Sequence, residues 1–139
     1  MRSSKPILLV EDDRLDAMIV KRALNDLKVT NELVHAANGQ EALEYLTNER
    51  NKKPCLVLLD LNMSKTNGVD FLRIAKKDES LKKIPVVVLT ASTEEQNVIA
   101  TFKLGVAGYI VKPMDYMKFV EAIKTVTLYW TLSELPDEK

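Results

Sequence analysis

Six chemically capable residues stand at the ends of apolar runs, far apart in the chain. Ile7–Val10 runs into Glu11, Asp12 and Asp13. The run CLVLL, from Cys55, ends in Asp60. PVVVL ends in Thr90, and YIV ends in Lys112, followed by Pro113. Clustered carboxylates repel one another and need a cation or a proton. Oxygen-only donors suit Mg²⁺, which binds through one or two carboxylates and keeps waters or phosphate oxygens. A lysine is a point charge suited to phosphate, and a threonine hydroxyl can donate to a phosphoryl oxygen. An aspartate can act as a nucleophile and accept a phosphoryl group as an acyl phosphate. In-line transfer of that kind needs positioning and charge neutralisation above all. None of this chemistry works unless the run ends converge.

The elements that could bring them together are legible in the changes of hydrophobic period. Strand-like runs occur at Ile7–Val10, Leu33–His35, Cys55–Leu61, Pro85–Leu89 and Tyr109–Val111. Between them lie stretches of helical period. Leu15, Met18, Ile19 and Leu27 mark a first apolar face, with Lys21, Arg22 and Asp26 toward solvent. Ala42, Leu43 and Leu46 mark a second, Phe71, Leu72 and Ala75 a third, and Val98, Ile99 and Phe102 a fourth. Tyr116, Phe119, Val120, Ile123, Val126, Thr127 and Trp130 mark a longer fifth. Asn38 with Glu41, and Ser92 with Glu95, read as helix caps, and Asn67-Gly68 as a turn. Strands alternating with helices imply a doubly wound parallel sheet of five strands with five helices. The run Leu56–Leu59 is then apolar throughout because a central strand is buried on both faces. In such sheets ligands sit outside the carboxyl ends of the strands, where all six residues fall.

Bulk properties fit one domain. The chain has 139 residues, 46% hydrophobic and 29% charged, with a formal net charge of zero. That balance gives no pointer to nucleic acid or an anionic membrane. No apolar run is long enough to span a bilayer, and Ile7–Val10 is too short for a signal peptide. The single cysteine, Cys55, cannot form an internal disulfide, so a cytoplasmic protein is expected, with Cys55 a small buried hydrophobe. The single histidine, His35, excludes a His-based hydrolase or a histidine cluster for zinc and reads as structural or surface. Asp13 either caps the first helix or sits near the metal. Lys76-Lys77 and Lys82-Lys83 read as solvated faces. The stretch Thr47–Pro54 reads as an exposed loop and 133–139 as a frayed tail, leaving a core of about 5–132.

LLVEDD, LLDLNM, VVVLTAS and GYIVKP, in this order and at this spacing, resemble the receiver domain of two-component response regulators over nearly the whole chain. The resemblance implies a flavodoxin-like fold with strand order 2-1-3-4-5. It implies Asp60 as phosphoacceptor for a sensor histidine kinase. Glu11 and Asp12 become the acid pair for Mg²⁺, one of them often acting through water, and the backbone carbonyl of Asn62 completes the metal shell. Thr90 becomes the hydroxyl that moves toward the phosphoryl group, Lys112 the phosphate-binding lysine and Tyr109 the aromatic switch. A cis peptide is implied between Lys112 and Pro113. Two departures stand out: Ser64 replaces the usual proline after Met63, and the acid pair is Glu-Asp rather than Asp-Asp.

The Thr47–Pro54 loop and the apolar end of the last helix (Leu128, Tyr129, Trp130, Leu132) resemble single-domain regulators that partner bacterial phytochromes. Met117, Leu128 and Leu132 are left over once the core stripe is assigned. They suggest a dimer or partner face, the alternative being an end folded back on the domain. The reading expected is a stand-alone receiver, signalling rather than turning over substrate, that switches protein contacts through the fourth helix, fifth strand and fifth helix or passes its phosphoryl group on. A small Asp-nucleophile phosphatase would need a substrate cap, for which the chain has no room. A phosphorylation-independent interaction module is the other alternative.

Overall fold

The computed structural model describes residues 5–61, 68–90, 101–111 and 115–132, with backbone only for Thr90 and 128–132. Five strands, β1 (Ile7–Val10), β2 (Leu33–Ala36), β3 (Leu56–Leu59), β4 (Val86–Thr90) and β5 (Gly108–Val111), form one sheet in the order β2-β1-β3-β4-β5. Every pairing is parallel. Five helices complete the fold: α1 (Arg14–Asp26), α2 (Gly39–Thr47), α3 (Gly68–Lys77), α4, described over 101–103, and α5 (Tyr116–Leu132). The expected doubly wound architecture and strand order are both present.

The continuous apolar runs are explained by alternation across the sheet. Leu8, Val10, Val57, Leu59, Val86 and Val88 face one side, packing with Ala42 and Leu46 of α2 and Phe71, Leu72 and Ala75 of α3. Ile7, Leu9, Leu56, Leu58, Val87 and Leu89 face the other, packing with α1 and with Phe119 and Ile123 of α5. Both faces are covered, so successive residues of β1 and β3 are all buried. Cys55 is also buried.

The local caps follow their sequence signals. Asp13 Oδ1 accepts from the Leu15 and Asp16 amides at 2.8 and 3.2 Å, starting α1. That helix ends with Val29 N–H donating to Leu24 O and Lys28 N–H to Asn25 O, both at 3.0 Å, a Schellman pair. Lys28 takes the left-handed position at φ 57°, where glycine is usual. Asn38 Oδ1 accepts from Glu41 N–H at 2.9 Å, while Glu41 Oε1 reaches back to Ala37 N–H at 3.0 Å. The loop after α2 is exposed over 48–50 but tied to that helix: Asn51 Nδ2 donates to Tyr45 O at 3.1 Å, Lys53 Nζ to Leu46 O, and Tyr45 OH to Lys52 O at 3.0 Å. The first two bonds satisfy carbonyls that the C-terminus of α2 leaves without helical partners.

Three expectations are corrected. The buried face of α1 is Ala17, Val20, Ala23 and Leu24, whereas Leu15, Met18 and Ile19 are exposed. Phe102, expected to face the core, is 52% exposed and stacks on Tyr109 with ring centroids 6.4 Å apart. Lys76 is half-buried rather than solvated; its ammonium donates to Lys82 O at 3.2 Å and Ile84 O at 3.3 Å, closing the α3–β4 connection. Burial lowers its pKa below the usual lysine range.

On the α1–α5 side, Tyr116 OH donates to Asp26 Oδ2 at 2.6 Å, and the Arg22 guanidinium lies 4.3 Å from the Tyr116 ring centroid. This cluster joins the start of the last helix to the end of the first. Asn67, Ser64, the Ser92–Glu95 cap and the 133–139 tail lie outside the described residues.

Candidate functional site

The carboxyl edge of the sheet assembles the site. β1 ends at Val10 and delivers Glu11 and Asp12; β3, hydrogen-bonded beside it, delivers Asp60. Asp60 N–H donates to Val10 O at 3.0 Å, so the two strand exits are locked in register. One carboxylate oxygen from each of Glu11, Asp12 and Asp60 lies within 4.8 Å of the others. Asp60 is 7% exposed and Glu11 1%, while Asp12 faces solvent. Three carboxylates this close, two of them buried, are an all-oxygen donor set of the kind that hard divalent cations take. Asp12 also precedes the N-terminus of α1, where the helix dipole favours negative charge. Asp13 is turned to capping α1.

β4 carries Thr90 to the same edge, where its Cα pairs with that of Val111 in β5. The Thr90 side chain, Asn62, Lys112 and Pro113 lie outside the described residues, so their expected roles have no geometry attached. Tyr109 sits in β5 opposite Val88, half-buried, packing against the α2–α3 core and on Phe102. Met117 is 70% exposed on α5; the side chains of Leu128, Tyr129, Trp130 and Leu132 lie outside the description.

Two residues join the site that the run-end pattern passed over. Gly68 opens α3 against the exit of β3, its N–H donating to Leu61 O at 3.1 Å. A Cβ there would stand 2.5 Å from Leu61 Cα and 2.7 Å from Asp60 O. The sequence signalled a turn at Asn67-Gly68 but not this close approach. His35 of β2 brings Nε2 to 2.7 Å from the backbone oxygen of Glu11. Its signal was its place at the carboxyl end of a strand, hidden by the absence of an acid there.

Comparison with known proteins agrees with this geometry. Residues 7–124 match the model of the response regulator receiver domain. Response regulator Rcp1 of Synechocystis sp. is 35% identical over 130 residues, 91% of this chain and 88% of the relative. Its solved Mn²⁺-bound form superposes with a TM-score of 0.85, covering 95% of this chain and 99% of that one. The phosphorylated cyanobacterial phytochrome response regulator RcpA gives 0.86 at 35% identity, over 97% and 100% of the two chains. The bacteriophytochrome response regulator AtBRR gives 0.74 at 38% identity, over 96% and 98%. Among the described residues no helix is long and apolar enough to cross a membrane. This chain, with its acids gathered at the carboxyl edge of a 2-1-3-4-5 sheet, belongs to the response regulator receiver domain family.

Proposed function

We propose that the protein is a single receiver domain, residues 1–139, that takes a phosphoryl group from a sensor histidine kinase onto Asp60. The observation that carries this reading is the approach of Asp60 to Glu11 and Asp12, with their carboxylate oxygens within 4.8 Å. A Asp60 carboxylate oxygen attacks phosphorus in line. The phosphorus–nitrogen bond of the donor breaks, its electron pair leaves with the imidazole, and an acyl phosphate remains on Asp60. Glu11, Asp12, Asp60 and the backbone carbonyl of Asn62 would hold Mg²⁺. When bound, that ion neutralises charge on the phosphoryl oxygens. The Lys112 ammonium holds the phosphoryl group, and the Thr90 hydroxyl donates to it.

The output is a change of surface. Thr90 is drawn toward the acyl phosphate, Tyr109 repacks behind it, and the α4-β5-α5 face shifts between two arrangements. Exposed Met117, with Leu128, Tyr129, Trp130 and Leu132, supplies a dimer face on α5. The likeness to RcpA and AtBRR supports a phytochrome as the kinase. The phosphoryl group also suits onward relay. A net charge of zero gives no pointer to nucleic acid or an anionic membrane as partner, and the proposed compartment is the cytoplasm.

The test is uptake of a phosphoryl group from acetyl phosphate, read by intact mass. Wild type with Mg²⁺ gains one group. Chelation with EDTA stops uptake, and Asp12→Asn slows it by about tenfold or more at low Mg²⁺, the scale on which metal-site substitutions act. Equal uptake with and without divalent metal would sink the reading.

A further inference from the structure

β2 is the edge strand next to β1, and it contributes no acid to the site. Its backbone supports β1 only as far as Glu11, whose N–H donates to Ala36 O at 3.0 Å. Beyond Ala36 the chain leaves the sheet. Ala37 N–H is taken by Glu41 Oε1 and Asn38 caps α2, so the ladder gives out at the residue that starts the acid pair. The next rung is supplied by a side chain: His35 Nε2 lies 2.7 Å from Glu11 O. A carbonyl oxygen only accepts, so Nε2 carries the hydrogen and the neutral ring is the Nε2–H tautomer.

From this geometry, and resting on the reading of Glu11 and Asp12 as the metal-binding pair, we infer that His35 is a positioning residue for the metal site, holding the Glu11–Asp12 peptide in orientation through its bond to Glu11 O. β2 then holds both backbone polar groups of Glu11, its N–H through Ala36 O and its C=O, which belongs to the Glu11–Asp12 peptide, through the imidazole. Rotation of the Glu11–Asp12 peptide would swing the Asp12 side chain relative to buried Glu11 and Asp60. Bonds that orient ligands from outside the coordination sphere tune metal affinity without touching the ion. His35 is exposed, so its replacement leaves the core intact.

The probe is Mg²⁺ alone, titrated calorimetrically into wild type, His35→Phe and His35→Gln. Phe keeps a flat ring but loses the donor; Gln restores an N–H at similar reach. His35→Phe is expected to weaken Mg²⁺ binding about threefold to tenfold, the range of one net hydrogen bond, while His35→Gln returns to within about twofold of wild type. A role confined to stability would lower the melting temperature and leave Mg²⁺ affinity of the folded protein unchanged. Wild-type binding with His35→Phe unchanged overturns the inference alone. Absence of binding by the wild type overturns the metal-site reading, and this inference with it. Nitrogen-15 spectra of the wild-type ring provide a readout free of substitution. The Nε2–H tautomer supports the inference and the Nδ1–H tautomer overturns it.

Discussion

Replacing Gly68 with alanine sets two effects of known sign against each other. Gly68 is the first residue of α3, and its φ is not in the left-handed region, so alanine can adopt the backbone. Helix propensity favours alanine by about 0.5–1 kcal/mol in a helix interior and by less at this first position. Against this, the new Cβ would stand 2.5 Å from Leu61 Cα, about 0.9 Å inside the 3.4 Å at which ordinary contact begins. Its 2.7 Å distance to Asp60 O is about 0.7 Å too short on the same measure. Both atoms are backbone, in a segment locked to β1 through Asp60 N–H and Val10 O, so neither yields cheaply. Overpacking of this kind costs about 1–3 kcal/mol, which outweighs the propensity gain. The net expectation is a loss of about 1–2 kcal/mol, read as a lower urea midpoint at unchanged slope. The displaced atoms belong to Asp60, the proposed acceptor, and to Leu61, so phosphorylation from acetyl phosphate should slow as well. Gly105→Ala is the control: nothing lies within 4 Å of its Cβ, but its φ of +83° strains alanine. It should lose about 1 kcal/mol and phosphorylate normally. A Gly68→Ala protein as stable and as reactive as wild type would refute the steric argument.

Two further outcomes follow from local structure. Asp78 accepts from Ser80 Oγ at 2.7 Å and from the Ser80 and Leu81 amides at 2.8 and 3.3 Å, and its pKa is lowered from the ordinary 3.8, first by the Ser80 hydroxyl. The contribution is therefore full above pH 3.8 and lost as pH falls through the lower folded value, so the stability gap between wild type and Asp78→Ala should close on acidification. Lys28 holds the left-handed position after α1 at φ 57°, so Lys28→Gly should raise the urea midpoint, relieving a strain of about 1 kcal/mol net of glycine's chain entropy.

What the sequence disclosed depended on whether the physics was local. The runs ILLV and LVLL are apolar on every residue because α1 and α5 cover one face and α2 and α3 the other, as the parallel sheet implied by alternating strands and helices requires. Glu11, Asp12 and Asp60 could be brought together on paper because parallel strands end on one edge. Apolar residues at helical spacing lie on two faces of α1, and hydrophobicity alone does not choose between them. Ala17, Val20, Ala23 and Leu24 are buried, while Leu15, Met18 and Ile19 are exposed. Hydrophobicity likewise predicts Phe102 inside, but it is 52% exposed and stacks on Tyr109. Lys76 showed as one more charge because its two carbonyl partners belong to a connection that only folding brings near. His35 and Gly68 act through cross-strand register and helix approach, and neither leaves a mark in hydrophobic period.

The central claim is that Asp60 is the residue that receives the phosphoryl group, and its direct test is chemical mapping. Phosphorylated protein is reduced with borohydride, which converts an aspartyl phosphate to homoserine, then digested and sequenced by mass spectrometry. Homoserine at position 60 alone, absent from Asp60→Asn, is the predicted result. A retained phosphoryl group with Asp60 intact, or reduction at Asp12 or Asp13 instead, would contradict the account.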